Sequence, residues 1–239
     1  MEKILEVNNV TVKYKELAAV NDVKFSISAG EIFGIIGPNG AGKTSLVEAI
    51  EGLRKIDSGN ISLFGLNPQK DREKVYENIG VQLQSTSYPD HAKVEDACRL
   101  FSSFYDSPAA YEALLEEFGL LNRRHNYIRN LSGGERQKLT ILLSILGNPK
   151  LLFLDELTTG LDPFARHEVW EMIRKYNKKG VSIILVTHFM DEIEELCGRV
   201  GVMKAGKMIL IDTPQKIREQ FDAKNLEAAF LKMNSAAGA

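Results

Sequence analysis

Apolar and β-branched residues recur from Ile4 to Val12 and from Val23 to Ile27, which predicts two strands before a turn at Ser28-Ala29-Gly30. The run Glu31-Ile32-Phe33-Gly34-Ile35-Ile36 reads as a buried strand, and Thr44 to Ile50 reads as a helix. Asp57-Ser58-Gly59-Asn60 predicts a turn ahead of a short strand at Ile61-Ser62-Leu63. Ile79 to Gln84 reads as a further strand that ends in polar residues. From roughly Val94 to Leu146 the apolar spacing changes to three-to-four, as in Leu114, Leu115, Phe118 and Leu121, which predicts helices. Gly119 and the basic cluster Arg123-Arg124-His125 mark a break between them, and that cluster reads as a solvated surface. Strand–helix alternation resumes with a strand at Leu151–Leu154, a helix from Pro163 to Tyr176, a strand from Val181 to Val186 and a helix from Met190 to Leu196. Val200–Met203 and Lys207–Ile211 predict a hairpin around Ala205-Gly206. A short helix after Thr213-Pro214 and an amphipathic one near Asn225–Lys232 follow, and Asn234 to Ala239 reads as a flexible tail.

Composition narrows the class. The 239 residues are 44% hydrophobic and 26% charged, enough for a sizeable core. A net charge of −2 does not favour generic nucleic-acid binding. No apolar run reaches membrane-span length, and Met1-Glu2-Lys3-Ile4-Leu5-Glu6 lacks the layout of a signal peptide. Cys98 and Cys197 are far apart in sequence, so a structural disulfide is not expected and a reducing cytosol fits. His91, His125, His167 and His188 show no metal-ligand spacing.

Gly37-Pro38-Asn39-Gly40-Ala41-Gly42-Lys43-Thr44 fits Gly-x-x-x-x-Gly-Lys-Ser/Thr, the phosphate-binding loop of nucleotide triphosphatases. The pattern arises by chance in about 1% of chains of this length, and the flanking strand and helix make chance rarer still. Glycines let backbone N–H groups turn inward around an anion. A helix N-terminus adds donors and a partial positive charge. Lys43 is placed to reach the terminal phosphates, and the Thr44 hydroxyl to ligate Mg²⁺. Ser45 extends the candidate ATP site on the same helix. An α/β nucleotide-binding core interrupted by an all-helical segment is the expected organisation.

Leu151-Leu152-Phe153-Leu154-Asp155-Glu156 puts two carboxylates at the end of a buried strand, where α/β sheets place ligands. Downstream of a phosphate loop, Asp155 is expected to hold Mg²⁺ and Glu156 to act as general base on the attacking water.

Within the helical segment stands Leu131-Ser132-Gly133-Gly134-Glu135, a helix cap with flexible backbone and a second anion-binding N-terminus. With the two motifs above, it closely resembles the ATP-binding subunit of ABC transporters, whose signature is Leu-Ser-Gly-Gly-Gln/Glu. The resemblance covers about residues 1–220. It implies a RecA-like P-loop NTPase core with an antiparallel β subdomain and an inserted α-helical subdomain. The implied limits are a core at 1–84 and 147–220, an insertion at about 85–146, and a short helix with a tail at 221–239.

The resemblance also implies roles. Tyr14 looks like the aromatic residue that stacks on adenine, although on its own it reads as a half-buried strand tyrosine. Gln84 matches the glutamine at the core–helical junction that touches Mg²⁺ and the attacking water; Gln82 is close by, but the register set by Ile79-Gly80 favours Gln84. Asp162 looks like the aspartate of the loop linking the two active sites of a dimer. His188 matches the histidine that contacts the γ-phosphate, although a lone histidine at a strand end is otherwise surface chemistry. The implied mechanism is a head-to-tail sandwich dimer, each ATP lying between the phosphate loop of one copy and Leu131–Glu135 of the other. The expected partners are an integral membrane permease and a second copy or a related ATPase, with no nucleic acid. The expected place is the cytoplasmic face of the cell membrane.

Two departures stand out. Family members usually carry Pro after the Asp-Glu pair, and here it is Leu157. The helix after the signature lacks the Ala-Arg-Ala pattern common in importers and looks more like bacterial exporters of the drug-resistance or ABC-2 type. Phe101, Phe104 and Tyr105 read as core residues, with a permease-docking groove as the alternative. A soluble ABC-type ATPase of an assembly machinery, such as iron–sulfur assembly, is the competing class. Repair and translation ATPases fit less well, because the chain has neither a long coiled coil nor a second cassette.

Overall fold

The computed structural model describes residues 2–82 and 88–235. In chain order the elements are β1 (Lys3–Tyr14), β2 (Leu17–Ser28), β3 (Ile32–Ile36), α1 (Lys43–Ile50), β4 (Ser58–Leu63), α2 (Arg72–Tyr76) and β5 (Ile79–Gln82). Next come α3 (Val94–Ser102), α4 (Tyr111–Glu117), α5 (Gly133–Ile145), β6 (Leu151–Asp155) and α6 (Pro163–Lys178). β7 (Ser182–Val186), α7 (Met190–Leu196), β8 (Arg199–Lys204), β9 (Lys207–Asp212), α8 (Pro214–Gln220) and α9 (Leu226–Ser235) complete the described chain. Two compact units result, one from residues 1–75 and 182–239 and one from 76–181.

The first unit holds an antiparallel sheet in the order β2-β1-β4 and a run of strands in the order β7-β3-β8-β9. β3 is parallel to β7 and β8, and all five residues of both β3 and β7 are buried. Strands covered on both faces lose polar alternation, which is why their sequences are continuous apolar runs. β1 is covered on one face only and alternates more. Phe25 of β2 stacks on Phe33 of β3 with centroids 5.2 Å apart, tying the antiparallel sheet to the parallel strands. The β8–β9 hairpin turns at Ala205 and Gly206, both at positive φ, as a tight two-residue turn requires.

Asp57–Asn60 is not a free turn, because β4 already begins at Ser58 and pairs with β1. Gly59 makes this possible. It lies at φ +88°, and a Cβ there would sit 2.3 Å from the Asn9 carbonyl oxygen. Opposite it β1 slips register, with Asn9 at φ +51° and its side-chain amide donating to Asp22 Oδ1 at 2.8 Å. This is a bulge that only a glycine partner accommodates. α2 was not expected. α9 also runs on through Asn234 and Ser235, which the sequence suggests belong to the tail.

In the second unit β5 pairs in parallel with β6, from Ile79 opposite Leu151 to Gln82 opposite Leu154. The helices pack around Leu114, Leu115, Phe118, Leu120, Leu139 and Leu142, all buried. Leu120, not Leu121, fills the core, because Gly119 turns the chain at φ +68° and a 3₁₀ turn starts at Leu121. Phe104 is not a core residue: it is 66% exposed, at the edge of Phe101, and belongs to the surface. Cys98 is a free thiol, pushed up to about 12 by burial. Cys197 is also free, and its burial raises it as well.

Candidate functional site

β3 delivers the chain into the loop 37–42, and α1 starts at Lys43. Gly42 is the N-cap at φ +99°, and a Cβ there would lie 2.0 Å from the Ala19 carbonyl oxygen. Only glycine fits. Having no side chain, Gly42 caps none of the first-turn amides, which α-helix geometry leaves without an acceptor inside the helix. Lys43 folds back over the loop, Nζ donating to the carbonyls of Gly37 (2.8 Å) and Pro38 (3.1 Å). Pro38, Asn39, Gly40 and Thr44 are exposed, whereas Gly37 and Ala41 are buried. The loop is braced from outside, since Gly206 N donates to Ala41 O at 3.0 Å and Asn21 N donates to Gly206 O at 2.8 Å.

His188 follows β7, next to β3 and parallel to it, so it emerges at the same strand end as the loop. Its ring is exposed and lies 4.1 Å from that of Phe189. The amide of Phe189 is held by the buried Thr187 Oγ1 at 3.0 Å, which fixes the turn beneath the imidazole. Tyr14, at the end of β1, is 43% exposed, and its hydroxyl meets Ser45 Oγ at 3.2 Å. These residues belong to one unit.

The second unit carries the carboxylates. Asp155 closes β6 and Glu156 follows at φ +48°, both half-buried. Gln82 is buried, and its Oε1 accepts the Asp155 amide at 3.0 Å. Leu157 is buried to 1% exposure. Gln84 lies outside the described residues.

Ser132 is the N-cap of α5 in a reciprocal capping box. Ser132 Oγ accepts from Glu135 N at 3.2 Å, and Glu135 Oε2 accepts from Ser132 N at 2.9 Å. Arg123 Nε donates to the other carboxylate oxygen at 2.7 Å. The Ser132 amide above all, and Arg123 to a smaller extent, hold the Glu135 carboxyl below the usual carboxylate range, with burial pulling the other way. Leu131 is buried, while Ser132 and Gly133 are exposed at the helix start. Asp162 caps α6, its Oδ1 accepting from Phe164 N (2.9 Å) and Ala165 N (3.0 Å). Gly134 faces Ala165, where an added Cβ would come within 3.1 Å of the alanine Cβ.

Sequence reasoning missed the Gln82–Asp155 bond and the pairing of Arg123 with Glu135, which join residues far apart in the chain. It also missed Arg54, whose guanidinium carbon lies 4.5 Å over the Tyr14 ring.

A strand, a glycine loop wrapped by its own lysine and an uncapped helix start define a phosphate-binding-loop α/β protein. The comparisons give the family. A family model described as ABC transporter matches residues 20–159. The Nod factor export ATP-binding protein I of Neorhizobium galegae is 35% identical over 220 residues, which is 90% of this chain and 63% of that protein. The probable multidrug ABC transporter ATP-binding protein YbhF of Escherichia coli (strain K12) is 34% identical over 224 residues, 92% of this chain and 39% of that protein. A solved ATP-binding subunit of an ABC transporter matches with a TM-score of 0.87 at 29% identity, covering 97% of this chain and 99% of that one. The chain belongs to the ABC transporter family and has the fold of its ATP-binding cassettes. It spans less than two thirds of the length of either curated relative above. Among the described residues, no helix is long and apolar enough to cross a membrane.

Proposed function

We propose that this chain is the ATP-hydrolysing subunit of an ABC exporter and drives a separate membrane permease. The observation that carries the reading is the phosphate loop, with Lys43 bridging its carbonyls behind an uncapped α1. ATP binds at residues 37–45, through the backbone N–H groups that all of them but Pro38 carry, with adenine on Tyr14. Glu156 takes the proton of the attacking water, and His188 contacts the γ-phosphate. Asp155, Thr44 and Gln84 would hold Mg²⁺, as the resemblance to the family implies. The described donors suit it: Thr44 offers an exposed hydroxyl on the first turn of α1, and Asp155 is a half-buried carboxylate. When bound, the ion neutralises charge on the β- and γ-phosphates.

The signature Leu131–Glu135 acts on the ATP of a partner copy in a head-to-tail dimer. Its exposed, capped helix start offers a second set of amides for the same γ-phosphate. Asp162 links the two sites. ATP favours the closed dimer, hydrolysis removes the shared anion, and that difference supplies the work. Export is supported by the relatives, one a Nod factor exporter component and one a probable multidrug transporter component. The same relatives weigh against a permease-free assembly ATPase. The chain works at the inner face of the membrane as one ATPase domain of about residues 1–220, with a helical insertion near 85–146.

The test is recovery of the partner. Tagged Glu156→Gln protein, expressed in its native host and pulled from mild-detergent membranes, is expected to bring a multi-span protein in stoichiometric amount. Recovery of soluble partners only, with the tagged protein absent from membranes, sinks the transporter reading.

A further inference from the structure

Tyr14 sits in a frame that adenine stacking by itself does not demand. The Arg54 guanidinium carbon lies 4.5 Å above the ring centroid. Arg54 Nε donates to Glu48 Oε2 at 2.6 Å, and Glu48 belongs to α1. The Arg54 backbone is fixed as well: its amide donates to Glu48 O at 3.0 Å, and its carbonyl accepts from Gln69 Nε2 at 2.7 Å. At the far end of the ring, the Tyr14 hydroxyl meets Ser45 of the same helix. One helix therefore sets both the phosphate loop and the orientation of the Tyr14 ring.

The physics favours a platform. An exposed tyrosine at a strand end has rotamer freedom that it must give up when a base stacks on it. Here one face and the hydroxyl are already held, while the residue as a whole stays 43% exposed. The Arg54 and Glu48 side chains are only about one-third exposed (32% and 33%), so their ion pair is less screened than a surface pair. A guanidinium over one ring face leaves the opposite face for a second flat group.

We propose that Arg54, anchored by Glu48, is a positioning residue that holds Tyr14 as a rigid platform for the adenine base. This rests on the reading of Tyr14 as the adenine-stacking residue. The substrate class is an adenine nucleotide, and Arg54 adds affinity for the base without acting on the phosphates.

The experiment compares dissociation constants for ATP and for inorganic tripolyphosphate, measured by calorimetry on the full chain. Arg54→Ala is expected to weaken ATP about threefold to tenfold and to leave tripolyphosphate unchanged. Arg54→Lys, which keeps the charge but loses the flat fork, is expected to recover part of the loss. If Arg54→Ala binds ATP like the parent while Tyr14→Ala binds it weakly, the platform is refuted and the stacking role of Tyr14 stands. If Tyr14→Ala also binds ATP like the parent, both are refuted. An equal loss for tripolyphosphate in Arg54→Ala means a damaged loop and also refutes the positioning role. Should Arg54→Ala fail to fold, Glu48→Gln cuts the anchor at nearly constant volume and carries the same expectation.

Discussion

The side-chain Oε1 of Gln82 accepts the backbone amide of Asp155 at 3.0 Å. The two residues end neighbouring parallel strands, so the bond fixes the point at which β6 releases its carboxylates. A buried amide without an acceptor costs about 1–3 kcal/mol. Gln82→Leu should therefore lower the thermal midpoint by roughly 2–12 °C in a chain of this size, and ATP turnover should fall with it. Calorimetry and a phosphate-release assay check both. An unchanged midpoint means that the bond carries no weight.

Lys43 contributes little to the fold and much to the proposed chemistry. Two of its bonds go to loop carbonyls, one of them in an exposed contact. Lys43→Ala should leave the melting curve almost in place and reduce hydrolysis by about a hundredfold or more. Retained hydrolysis would rule out the phosphate-loop assignment.

Glu135 gives a pH prediction. Its folded carboxyl lies below the ordinary range, mainly through the Ser132 amide. Its contribution is thus complete above the unfolded value of about 4.3 and is lost as pH falls through the lower folded value. Glu135→Gln should melt earlier than the parent at neutral pH, and the gap should close on acidification toward pH 3. A gap that is constant across this window would show that the carboxylate charge does not hold the cap.

Leu157→Pro restores the residue usual in the family and should nevertheless destabilise this chain. Leu157 is buried, and Glu156 before it sits at φ +48°. A proline removes side-chain packing and pushes the preceding residue to extended backbone. The expected loss is about 1–3 kcal/mol, read by urea unfolding. Equal or greater stability would mean that Glu156 moves freely to the extended form.

Local signals were legible in the sequence, and distant pairings were not. The phosphate loop could be read because strand, glycines and helix are contiguous. The β8–β9 hairpin could be read because Ala205-Gly206 sits between two apolar runs. Gly59 misled because a turn-forming residue also serves a bulge, and the bulge is set by Asn9 on another strand. α2 escaped because a five-residue helix with Val75 as its one buried residue shows no periodicity. Ser132 announced its cap through Glu135 three positions on, whereas Arg123 gave no sign that it would join them.

The bracing of the phosphate loop has a consequence for biosynthesis. The loop residues leave the ribosome early, but the Gly206 amide that holds Ala41 and the strand β8 that flanks β3 emerge much later. A nascent chain that stops short of the hairpin has the complete motif and lacks its clamp. The loop's sequence is complete long before the contacts that brace its backbone can form.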